Sequence, residues 1–174
     1  MKEKEFRIDG IPTERITEIA SLTVAATTKI PGNETPERQG GYLVIRNKKN
    51  GTPLLIERIG ICLPVDVKKT HYLGLEKGRR LIRSMKSFGH ISSHQSRDPK
   101  FKKWGKWGGA IIAGDYIISF SGLKELFDEA AVVVLALKIG WLNMSEVHEI
   151  IEISGNTFVK PLYNMVAIME SNEA

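Results

Sequence analysis

Residues 108–140, GGAIIAGDYIISFSGLKELFDEAAVVVLALKIG, leave little freedom in how this chain can fold. Two short apolar runs flank Gly114-Asp115, a two-residue connection of the kind that closes an antiparallel hairpin. The second run alternates Ile117 and Ser119 with Ile118 and Phe120, as a half-buried strand does. Ser121-Gly122 then ends the strand. Between residues 123 and 139 nearly every position after Asp128-Glu129 is apolar, so the helix that follows must be covered on more than one side. The sheet supplies one cover, and another helix or another subunit the second. Gly140 stops the helix.

The rest of the chain supplies matching parts. Behind Pro12, the residues Ile16, Ile19, Ala20, Leu22, Thr23 and Ala26 recur at helical spacing, which predicts an amphipathic helix over 11–29. Residues 30–41, punctuated by Pro and Gly, form a loop. β-rich runs at 42–45 and 54–62 enclose Asn50-Gly51 and read as a second antiparallel hairpin. Residues 66–86 turn helical. A wheel places His71, Gly74, Leu75, Gly78, Ile82 and Met85 on one face and Lys69, Lys77, Arg80 and Arg83 on the other, where they read as a solvated surface. Each mid-helix glycine costs about 1 kcal/mol relative to Ala, so two of them four residues apart imply a close approach by another element. Ser145 is expected to cap a short helix ending near 153, and 156–174 is an apolar tail suited to docking on the body.

Helices interleaved with antiparallel hairpins make an α+β domain in which an antiparallel sheet is covered by helices, rather than a doubly wound parallel sheet. At 174 residues, with 42% of them apolar, a single domain over 1–174 can bury an ordinary core. Residues 88–107 stand out from it as a basic loop insertion. The lone Cys62 excludes an internal disulfide, the N-terminus is charged from its second residue, and the longest apolar run is too short to span a bilayer. A cytoplasmic protein with no membrane partner is the expectation.

The net charge of +5 conceals an asymmetry. Residues 1–108 carry 22 Lys/Arg against 11 Asp/Glu, and residues 109–174 carry 3 against 9. Most of the excess lies between Lys68 and Lys106, where 12 basic residues face only Glu76 and Asp98. Such a segment attracts phosphate, a small anionic ligand or an acidic surface. Opposite charges on the two halves, together with the all-round apolar helix, point to a homo-oligomer.

The order strand, Ser121-Gly122, five residues, Asp128-Glu129-Ala130, preceded by Gly108-Gly109 and a Gly-Asp turn, resembles the C-terminal half of the GlcG/HbpS family. The hairpin and Lys/Gly-containing helix at 54–85 are similar to that family's middle portion, and the resemblance spans about residues 12–141. Leu123 stands where the family has a further Gly, and the family's Ala-rich helix is here basic and followed by the 88–107 insertion. The resemblance implies a profilin-like fold and a small-ligand-binding protein, with haem or another tetrapyrrole as its cofactor or ligand.

Three chemistries fit the polar residues. His90 and His94, four apart, have the spacing of a shared helical face, and either suits a haem iron; no third ligand accompanies them, so no metal site is assigned. Ser92, Ser93 or Ser96 with His90 or His94 and Asp98 has the residue types of a hydrolase nucleophile, base and orienting carboxylate, against the plainer reading of a polar loop. Lys100, Lys102, Lys103 and Lys106 interleave with Phe101, Trp104 and Trp107 as in single-stranded nucleic-acid binders. Asp128 and Glu129 either stabilise the start of their helix or face inward to meet Arg97 or a ligand. The Ser121-Gly122 elbow exposes backbone N–H groups that cradle anions. A ligand pocket is therefore expected among the 90–98 loop, the elbow and the helix start, built from His90, His94, Arg97, Ser121, Gly122, Asp128 and Glu129.

Overall fold

The computed structural model describes residues 6–33 and 38–173. Two residue pairs, β1 (Arg7–Ile8) and β2 (Ile11–Pro12), form a small antiparallel ribbon that leads into α1 (Thr13–Thr27). The predicted helix therefore begins at Thr13, because Pro12 sits in extended backbone at the cap position. Next come β3 (Gln39–Asn47), β4 (Pro53–Ile61), α2 (Pro64–Phe88), a 3-10 turn (Ser93–Ser96), β5 (Ala110–Ala113) and β6 (Tyr116–Ser121). Helices α3 (Glu125–Lys138), α4 (Met144–Ser154) and α5 (Val159–Glu173) complete the chain.

The four long strands make one antiparallel sheet in the order β4-β3-β6-β5. Both predicted hairpins are present, and β3 joins them by pairing with β6, Tyr42 opposite Ser121 and Ile45 opposite Ile118. Period-two alternation gives the sheet two apolar faces. Leu43, Ile45, Ile111, Ile118 and Phe120 point into the main core beneath α1, α3 and α5. Val44, Ala110, Ile117 and Ser119 face α2, with Leu81 packed on Ala110 and Ile117. The domain is α+β, and the sheet lies between α2 on one side and the remaining helices on the other.

Helix α3 finds its covers within the chain. Phe127 and every residue from Ala130 to Ala136 are buried among α1, α4, α5 and the sheet, so its apolar circumference makes no demand for a second subunit. The tail at 156–174 contains helix α5, which packs on α1 and α3 through Leu162 and Val166. Helix α4 is capped by Asn143 instead of Ser145: the Asn143 side chain accepts from the Glu146 amide at 3.0 Å, and the Glu146 carboxylate accepts from the Asn143 amide at 2.8 Å. That reciprocal pair meets two amides at once, which a cap at Ser145 does not. Among the described residues, no helix is long and apolar enough to cross a membrane.

Candidate functional site

Helix α2 starts with Pro64 in its first turn and ends at Gly89, whose left-handed backbone (φ 68°) accommodates the C-cap. Its buried line is Thr70, Leu73, Gly74, Lys77, Gly78, Leu81 and Ser84. This corrects the helical wheel, which placed Lys77 on the solvated face: Lys77 is only 1% exposed. Gly74 and Gly78 flank it on the sheet side, and a Cβ at Gly74 would sit 3.4 Å from the Tyr42 carbonyl oxygen. With no side chains at these two positions the helix lies close to β3 and β6, and the long Lys77 stem crosses the layer.

Lys77 Nζ donates to the Phe120 carbonyl at 2.8 Å and to Asp128 Oδ2 at 2.7 Å. Asp128 Oδ1 accepts from the Leu123 amide at 2.8 Å, so one carboxylate ties α2, the end of β6 and the elbow together. Gly109 makes room for the pair, since a Cβ there would lie 2.7 Å from Asp128 Cβ and 3.0 Å from Lys77 Nζ. Asp128 thus faces inward, and its partner is Lys77 rather than Arg97.

Burial pushes the Asp128 carboxyl up to about 6 from its ordinary 3.8, although Lys77, the Leu123 amide and Arg38 all pull it down. A carboxyl whose folded-state value lies above its unfolded value takes up a proton on folding between those two pH values. It therefore stabilises the fold most at low pH and loses that contribution as pH rises through about 6, a change of about 3 kcal/mol. Urea denaturation of the wild type and of Asp128→Asn between pH 4 and pH 7 should differ by this slope; parallel curves would show that Asp128 does not titrate there.

Beside the pair lies a cleft of about 230 Å³. It is lined by Lys77, Asp128, Ser121, Gly122 and Leu123 and by residues of the first half of α2, Asp66, Lys69, Thr70 and Leu73. Arg38, Lys124, Glu125 and Trp107 stand around it, and the half-buried Cys62 contributes its thiol near Thr70 Oγ1 at 3.4 Å. Helix α3 starts here with Lys124 at its cap position and no side chain capping it. Four cations, Arg38, Lys69, Lys77 and Lys124, line this small space with three carboxylates, Asp66, Glu125 and Asp128, at the start of α3, where the helix dipole favours an anion.

The predicted pocket residues divide into three groups. Ser121, Gly122 and Asp128 line the cleft. Arg97 sits one contact behind it: its Nε donates to both Glu125 oxygens, at 2.7 and 2.8 Å, and Glu125 also accepts from the Gly108 amide at 2.8 Å. His94 Nδ1 lies 3.8 Å from the same carboxylate. His90 and Glu129 lie elsewhere. The His90 ring packs 5.5 Å from Phe88, and Glu129, buried to 1%, accepts from Ser92 Oγ at 2.8 Å and from Asn156 Nδ2 at 3.2 Å. The Glu129 contacts bind the 88–107 loop and the α4–α5 connection to α3.

Arg80 organises that loop. It donates to the carbonyls of Ser93, Ser96 and Trp107 and to Ser96 Oγ, while Glu76 holds its Nε at 2.8 Å. The serine hydroxyls are engaged: Ser92 with Glu129, Ser93 with the Ala110 amide, and Ser96 with Arg80 and the Ser93 carbonyl. The Nδ1 atoms of His90 and His94 are buried without a hydrogen-bond partner, and no hydrogen bond joins either ring to a serine hydroxyl. Among the described residues, no group of three or more His, Cys, Asp or Glu is placed to hold a metal ion.

Lys77, Arg38, Cys62 and Asp66 are cleft residues that the pocket predicted from sequence omitted. The pattern around Lys77 carried a signal, because a lysine between two helix glycines, on the line of Thr70, Leu73 and Leu81, has nothing beside it to keep it out of the sheet. No family model, curated protein or solved structure matches this chain.

Proposed function

We propose that this protein binds a small anionic ligand in the cleft between the first half of α2, the Ser121-Gly122 elbow and the start of α3. One observation carries the reading. An ammonium group has three donors, and Lys77, which lines the cleft, meets two acceptors, the Phe120 carbonyl and Asp128, so its third N–H is the donor we assign to a ligand. Such a donor, held in a low-dielectric layer, binds an oxyanion more strongly than a lysine in water does. Arg38 and Lys69 supply further positive charge around the space. No hydroxyl or thiol of the cleft has a base in hydrogen-bond contact, so a binding role fits the residues better than nucleophilic catalysis.

A cleft of about 230 Å³ suits a ligand of few atoms, such as phosphate or a small carboxylate; pockets for larger organic ligands run to roughly 300–1,000 Å³. The reading takes the layered sheet as profilin-like, as in GlcG/HbpS proteins, which makes haemin the second ligand to test. Phosphate, sulfate, acetate and benzoate are each added to the purified protein while thermal unfolding is followed. A bound anion at about ten times its Kd should raise Tm by roughly 3–6 °C, an effect lost in Arg38→Gln and Lys69→Gln. The same anion should slow alkylation of Cys62 by iodoacetate. An unchanged Tm and unprotected Cys62 with all four anions would refute the proposal, and a Soret shift of haemin abolished by His90→Ala or His94→Ala would replace it with a tetrapyrrole site.

A further inference from the structure

Once Lys77 and Arg80 turn inward, a different basic surface remains. The charged residues of α2 that stay exposed are Lys68, Lys69, Arg79, Arg83 and Lys86, all cationic. Its two acids, Asp66 and Glu76, are half-buried, and Glu76 is taken up by Arg80. At 1.5 Å per residue the stretch from Lys68 to Lys86 is about 27 Å long. Alongside it the 88–107 loop is docked by the edge of Trp104 against Tyr72, at 4.9 Å between ring centroids, and adds exposed Lys100, Lys102 and Lys103.

The layer beneath this face adds a further positive charge. Arg46, on β3 under the middle of α2, is 3% exposed. It donates from Nη1 to the Gly51 carbonyl at 2.9 Å, while its Nε and Nη2 have no partner. Burial first, and then the nearby Arg79, push its guanidinium below the ordinary value. A buried guanidinium with unpartnered N–H groups, repelled by Arg79, adds to the positive potential of this face, and an external polyanion lowers it.

We infer that the outer face of α2 and the adjoining lysine loop bind the phosphate backbone of a nucleic-acid duplex, without reading sequence. The aromatic side chains decide against single strands. Lys106 Nζ lies 3.6 Å from the centroid of the Phe101 ring and Lys103 Nζ 5.5 Å from that of Trp104, and Arg97 lies over Trp107 at 5.5 Å. One face of each ring is thus taken by a cation of the same loop, which leaves less stacking surface for unpaired bases than a single-strand platform offers. A membrane surface fits less well, because the apolar side of α2 is spent on the sheet and its outward line shows large apolar residues mainly as Val65, Tyr72 and Phe88. Duplex DNA presents one charge per about 1.7 Å of axis, a dense match to a stripe of cations.

The test is fluorescence anisotropy with a labelled duplex of about 20 base pairs and its single strand, from about 50 to about 200 mM NaCl. The duplex should bind below about 10 µM at the lowest salt and more tightly than the single strand, with a slope of log affinity against log salt of roughly −3 to −5. The triple variant Arg79→Gln/Arg83→Gln/Lys86→Gln should bind at least about tenfold more weakly and flatten the slope by roughly 2–3. Lys29→Gln/Lys160→Gln, exposed beside α1 and on α5 across the sheet, should behave as wild type. Circular dichroism checks that each variant is folded. No binding at the lowest salt, a preference for the single strand, full affinity in the triple variant, or equal competition by phosphatidylserine vesicles or polyglutamate would each overturn the inference.

Discussion

Lys77→Met should lower the free energy of unfolding by about 1–2 kcal/mol at pH 7 and about 3 kcal/mol at pH 8, because it strips a buried carboxylate of its counter-charge and each pH unit above about 6 adds at most about 1.4 kcal/mol. Methionine fills most of the space of the lysine stem, so the loss is electrostatic and not a cavity. The pH dependence separates the two causes. Without Lys77 the folded-state value of Asp128 moves further above the 6 to which burial already raises it. The variant then approaches wild-type stability below that range, where Asp128 is neutral, and falls away as pH rises. A penalty equal at pH 5 and pH 8 would mean that packing, not charge, is what Lys77 supplies. Lys77→Met combined with Asp128→Leu removes both charges and should abolish the pH dependence of the loss, leaving a pH-independent cost of roughly 1–3 kcal/mol from the Leu123 amide, which loses its acceptor at Asp128 Oδ1.

Gly122→Ala is expected to be at least as damaging, by about 3 kcal/mol or more, and to prevent folding if the elbow cannot shift. Gly122 has φ 148°, and a Cβ there would lie 2.1 Å from the Gly40 carbonyl oxygen and 2.5 Å from Gly41 Cα. These are backbone atoms of the central strand β3, so no side chain can move aside. Gly155→Ala is the control, with a similar left-handed backbone (φ 66°) but nothing within 4 Å of its Cβ; it should cost roughly 1 kcal/mol. Equal urea midpoints for the two variants would show that the elbow is not pinned against β3. The cleft depends on this contact, because the elbow supplies its Ser121–Leu123 wall.

Much of the secondary structure was legible because it is local. Gly114-Asp115 and Asn50-Gly51 marked their hairpins through turn geometry, and the apolar run after Asp128-Glu129 marked a buried helix. The helical wheel failed at α2 for an equally definite reason. Glycine has no hydropathy to place it on one side or the other, so ranking residues by polarity turned the stripe by about one position and put Lys77 in water. Asp128 was legible as a charged residue near a helix start, but its partner lies 51 positions away and no local pattern names it. The 90–98 segment left two readings open, a hydrolase site and a polar loop: its dense set of Ser, His and Asp along the chain becomes, in space, a loop held by Arg80 and Glu129.

Alternation, turn residues and helical spacing reside in neighbouring positions, and the sequence alone therefore determined the two long hairpins, the helices up to α4 and an antiparallel sheet covered by helices; the β1–β2 ribbon and helix α5 were not marked by it. Which strand lies beside which, which acid meets Lys77, and where a space remains open depend on contacts between residues far apart in the chain. Those contacts exist only once β3 has paired with both β4 and β6 and α2 has settled close on its two glycines. The cleft is a product of that packing.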